Sequence, residues 1–176
     1  MHFISAILFV AMTVSSSVQE PYSNEWNKKS TLTSDRRIEL PGVVLEPGTY
    51  VIRLKQATEN RSLVEICNQD ESQVLGTVLA VPDLAQRPDD NSEFTFFNVP
   101  QTRPEPVHTW FYSGDPIGLE FVYPRTRARE IARTADAHVM ASNSINGNDV
   151  IVAVTPNGTE VVIDNPIKTA REKPKQ

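Results

Sequence analysis

The residues best suited to chemistry lie between His108 and Arg129, in "HTWFYSGDPIGLEFVYPRTRAR". His108, Asp115 and Glu120 share that stretch with five aromatic side chains, and three arginines close it. Asp115 with Glu120 is a carboxylate pair of the kind that cleaves glycosidic bonds, one acid and one base. His108 beside Asp115, Glu120 or Asp83 could ligate a metal, although no H-x-H or H-E-x-x-H spacing supports it. On a strand, His108, Trp110 and Tyr112 would share one face, and Val107, Thr109 and Phe111 the other. The first face could be an aromatic platform that stacks on a sugar or peptide, with His108 as its polar anchor. The favoured reading is instead a core or its half-buried rim, the commoner fate of aromatic side chains. Asp115 sits in a Gly-Asp-Pro turn, where an aspartate bonds its own backbone. Glu120 falls on the solvent face if Leu119 and Phe121 point inward.

After Pro124 the pattern changes to that of a helix. Ala128, Ile131, Ala132 and Ala135 recur at i, i+3, i+4 and i+7, one apolar stripe. Arg125, Arg129 and Arg133 form a basic stripe on another face. That stripe either docks on an acidic partner, such as lipid head groups or an envelope polymer, or is a solvated face of a helix packed on the rest of the fold. Arg127 is placed to pair with Glu130 three residues on.

Around this segment the sequence reads as short strands. Tyr50, Ile52 and Leu54 alternate with Thr49, Val51, Arg53 and Lys55 after the Pro47-Gly48 turn. "RIEL", "SLVEICN", "QVLGTVLAVP", "EFTFFNV", "VHTWFY" and "GLEFVY" supply further strands, broken by loops such as "NQDES", "PDLAQRPDDN" and "PQTRPEP". This predicts a mainly β chain: an antiparallel β-sandwich, Ig-like or jelly-roll-like, of seven or eight strands, one short α-helix and a C-terminal hairpin turning at Asn157-Gly158. The expected boundaries are a sandwich over 31–123, a helix over 124–136, a linker and hairpin over 137–167, and a charged, disordered tail over 168–176.

Residues 3–14, "FISAILFVAMTV", form an apolar run shorter than the ~20 residues a membrane helix needs. Ser15 and Ser17 follow as small residues at a cleavage position, so residues 1–17 read as a signal peptide cut near Val18. The n-region departs from the usual pattern, because Met1-His2 carries no Lys or Arg. Residues 18–30 read as a flexible lead-in. An exported protein, periplasmic or secreted, is expected, with no transmembrane span.

Composition excludes several functions. The 176-residue chain carries a net charge of −5, which disfavours nucleic acid as a partner. Seven glycines supply no phosphate loop and no dinucleotide fingerprint, so no cofactor is expected. Cys67 is the only cysteine, which rules out an intramolecular disulfide and a thiolate zinc site. His108 and His138 lie too far from Cys67 in sequence for a blue-copper loop, and Cys67 reads as a small buried hydrophobe. No G-x-S-x-G elbow is present.

"LEPGTYVIRL" (45–54), "LAVPD" (79–83) and "WFYSGDPIGLEFVYP" (110–124) together resemble a group of exported bacterial proteins of acidobacterial type, with LPxGTY and WFYPGDxxGxEFVYP patterns and no assigned activity. The resemblance covers about residues 31–135. Glu46 stands where the pattern has a small residue, and Ser113 where it has proline. The resemblance implies a secreted or periplasmic β-sandwich and no particular chemistry. The reading is an exported, non-catalytic binding or envelope-accessory module, whose partner is an envelope polymer or another exported protein. The alternative is a carbohydrate-active or metal-dependent hydrolase using His108, Asp115 and Glu120.

Overall fold

A computed structural model describes residues 28–58, 61–83, 93–112, 117–144 and 149–163. Among these residues there are twelve strands and one helix, so the chain is mainly β. The strands are β1 (Lys29–Ser34), β2 (Ile38–Leu40), β3 (Val43–Leu45), β4 (Gly48–Ala57), β5 (Ser62–Asn68), β6 (Val74–Asp83), β7 (Phe94–Phe96), β8 (Glu105–Trp110) and β9 (Gly118–Phe121). The helix α1 (Arg125–Ala135) follows, then β10 (Val139–Ala141), β11 (Val152–Val154) and β12 (Glu160–Val162). The expected signal peptide, most of the lead-in, most of the loop expected over 82–91, Asp115 and the tail lie outside the described residues.

The first nine strands form one large sheet in the order β1-β4-β5-β6-β9-β8-β2-β3, with β7 on the other edge of β8. It does not close into a barrel. Neighbours pair antiparallel except β2 and β8, which run parallel through Ile38↔Glu105 and Glu39↔Pro106. This makes the sheet mixed where a purely antiparallel one was expected. A parallel pair joins segments far apart in sequence, and no local turn signal announces it.

The sheet folds over on itself. Val43 of β3 lies against Gly76 of β6, where an added Cβ would come within 2.5 Å of the valine. Trp110 of β8 reaches Ser30 of β1. The space between holds the main core, with Ile38, Leu40, Ile52, Val64, Ile66, Phe121 and Tyr123 inside. In β4 the alternation is as read: Ile52 and Leu54 are buried in this core, and Tyr50 packs against it.

The helix also follows its sequence pattern. Pro124 stands at the N-cap, Ala128, Ile131 and Ala132 are buried, and Asp136 ends the helix in the left-handed conformation. The helix rests on β10 and β11 of a second, three-stranded sheet, β10-β11-β12. Gly158, at φ +85°, makes the turn between β11 and β12. The other side of this unit covers the outer face of β6. Met140 and Ile151 pack there on Leu79, Val81 and Val122.

Candidate functional site

β8 carries the residues singled out first, but it does not present them as a simple alternating strand. Phe94 pairs with Trp110 and Phe96 with Val107, so two steps along β7 match three along β8. The irregularity turns Val107 and Trp110 toward the same core. His108, Trp110 and Tyr112 therefore do not form one common face.

Trp110 is 1% exposed, and its indole N–H donates to Ser30 Oγ at 2.9 Å. Phe94 stacks beside it and Tyr112 meets it edge-on. An aromatic platform that uses Trp110 has no surface to offer a ligand. Tyr112 stays half-buried, with the Lys28 ammonium 5.9 Å from its ring centroid.

His108 goes the other way. Its Nε2 lies 3.2 Å from Glu120 Oε1, and its ring packs on Phe97 with centroids 4.3 Å apart. Glu120 pairs with Val81 across β6–β9, so it points at the face that β10 and its neighbours cover. It is only 7% exposed, not the solvent-facing residue expected. The expectation failed because it took the sheet to have one covered face, and the C-terminal unit covers part of the second.

Burial pushes the Glu120 carboxyl above its ordinary range, while the His108 hydrogen bond pulls it down. Asp83 adds a like charge in the same direction as burial. Thr109, itself buried, donates to Asp83 Oδ2 at 3.3 Å. The structure thus brings His108 and Glu120 together, with Asp83 and Thr109 close by, while Asp115 lies outside the described residues. No cluster of three or more His, Cys, Asp or Glu among the described residues is arranged to hold a metal ion. Cys67 is fully buried, and burial raises its thiol.

The arginines are divided among three jobs. Arg125 binds Glu160 at 3.1 Å and approaches Asp149 at 3.7 Å, and Arg129 binds the other oxygen of Glu160. These two clamp the helix to β12, so they are not part of a free basic stripe. Arg127 makes a two-toothed contact with Glu39, at 2.8 and 2.7 Å, and also meets Glu130 at 2.7 Å, the pairing its spacing suggested. Of the stripe, Arg133 alone is exposed without an ion-pair partner among the described residues.

Arg133 borders an open groove of about 710 Å³ with Arg103, Glu39, Val44, Arg127 and Glu130. The sequence reading passed over Arg103, Arg127's partner Glu39, and this groove. A usable signal was present: Glu39 is the one charge in the apolar "IEL" of β2, and a buried carboxylate there needs a cation.

Tyr123 was also read only as the end of a strand. Its hydroxyl faces two carbonyls, Val107 at 2.7 Å and Glu39 at 3.0 Å, which are on neighbouring strands of the parallel pair. No helix among the described residues is long and apolar enough to cross a membrane.

Comparison with known proteins returned no match to a family model, to a curated protein or to a solved structure.

Proposed function

We propose that this chain is an exported, non-catalytic β-sandwich module that binds another exported component or serves the cell envelope, in the periplasm or outside the cell. The signal-like segment at 1–17 and the resemblance through "LEPGTYVIRL" and "WFYSGDPIGLEFVYP" support export. One observation carries the non-catalytic reading. The reactive-looking side chains of 108–129 are spent on architecture: Trp110 on Ser30, Glu120 in a covered face, Arg125 and Arg129 on Glu160.

The hydrolase reading draws on the His108–Glu120 contact, since a buried carboxyl of raised affinity for protons beside a half-exposed histidine can move a proton. The two readings separate in one experiment. The full chain is expressed in a bacterial host, fractionated, and assayed on chromogenic glycosides and esters. The binding reading expects a periplasmic product shortened by the first 17 residues, with no turnover. An uncut cytoplasmic product would overturn export. Turnover that disappears in Glu120→Gln would overturn the non-catalytic reading.

A further inference from the structure

The groove between the C-terminal half of α1, the turn before β8 and the outer face of β2–β3 has an uneven charge. Arg127 is held by Glu39 and Glu130. Arg103 and Arg133 are exposed and have no ion-pair partner among the described residues. Two uncompensated guanidiniums thus border one groove on a chain whose net charge is −5.

Val44, 51% exposed and opposite Glu39 in the β2–β3 pair, lines the same groove. β3 is the last strand of the large sheet, and among the described residues its outer edge has no strand neighbour. Among the described residues no aromatic ring lines the groove, so they give it no stacking surface of the kind a sugar ring would use. An exposed valine next to an open strand edge suits an extended peptide, which can offer its backbone to β3 and an apolar side chain to Val44.

We propose that this groove docks an acidic, extended peptide segment of a partner protein. Its carboxylates meet Arg103 and Arg133, while Arg127 stays paired with Glu39 and Glu130. The guanidinium fork of each free arginine matches a carboxylate. The inference rests on the reading of the chain as a binding module and names that module's partner chemistry.

The test titrates the isotope-labelled full chain with an end-blocked peptide of alternating glutamate and valine, reading backbone and arginine Nε–H signals by NMR. Shifts are expected at Val44, Arg103 and Arg133, with affinity falling as salt rises. Arg103→Glu and Arg133→Glu should each weaken binding about tenfold and together about a hundredfold. Both residues are exposed, and an unchanged melting temperature shows that the variants fold. A lysine-for-glutamate peptide should not bind.

Absence of shifts at millimolar peptide, or binding indifferent to both reversals, would overturn the proposal. Equal or tighter binding of polygalacturonate at the same arginines would overturn the peptide in favour of an acidic glycan. Export without turnover alongside a failed titration would remove this groove and leave the binding-module reading intact. Cytoplasmic retention or turnover would instead remove the reading itself.

Discussion

Replacing Tyr123 with phenylalanine deletes one oxygen from the centre of the fold. The side chain is fully buried, and its hydroxyl spans the carbonyls of Val107 on β8 and Glu39 on β2. A hydroxyl has one proton, so it makes one full bond or shares the proton between the two acceptors. Losing that bond costs about 1 kcal/mol, and leaving a buried carbonyl short of a donor adds about 1 more. Phenylalanine fills the same ring volume, so no cavity contribution of note is added. The expected loss is therefore about 2 kcal/mol, or a melting temperature lower by roughly 5 °C for a chain of this size.

Urea denaturation of Tyr123→Phe should show a lower midpoint with an unchanged slope. A second signature lies in alkali. Burial holds the Tyr123 phenol well above its ordinary range, so the unfolded chain ionises first. The protonated phenol's contribution is complete below the unfolded value of ~10 and is lost as pH rises through the folded one. Wild type should thus lose stability more steeply above pH ~10 than Tyr123→Phe does. A loss under ~0.5 kcal/mol at neutral pH, or parallel alkaline profiles, would refute the bridging role.

Other expectations follow from single contacts. A methyl group added at Gly118 would come within 2.6 Å of both the Phe111 ring and the Thr109 methyl, so Gly118→Ala should destabilise by about 2 kcal/mol in urea; a neutral result would contradict the packing of β8 on β9. Glu120 has a folded carboxyl value raised by burial, so its contribution is present below the unfolded value of ~4.3 and is lost as pH rises through the folded one. The stability of Glu120→Gln relative to wild type should therefore rise as pH climbs above ~4 in parallel denaturation curves, and a relative stability that stays flat or falls would contradict the covered site.

Local chemistry wrote much of the fold into the sequence. Residues 62–68 form the strand their pattern suggested, because "SLVEICN" has β-branched and apolar residues between polar breaks. Pro124, the alanine stripe and the end at Asp136 bound the helix for the same local reasons. Gly158 marked its hairpin through the φ it supplies.

The candidate site was less legible, because it depends on what covers what. Glu120 alternates outward as expected, yet it is buried, since Met140 and Ile151 close the outer face of β6 from a segment read as linker and hairpin. Trp110 turned inward because an extra residue on β8 shifts the alternation, and a bulge has no signature in "VHTWFY". The arginine stripe was correctly placed on the helix, but its partner Glu160 lies on β12 and only tertiary structure joins them. The His108–Glu120 pairing is the one part of the predicted constellation that the fold assembles among the described residues.

The central claim is that the aromatic stretch of β8 builds the core and leaves recognition to other surfaces. Acrylamide quenching of tryptophan fluorescence tests it most directly, in a Trp26→Phe chain so that Trp110 reports alone. A Trp110 that is 1% exposed and bonded to Ser30 should be quenched weakly, with a marked rise only when urea unfolds the chain. Strong quenching of the folded chain would put the indole at the surface, restore the aromatic platform, and contradict the account.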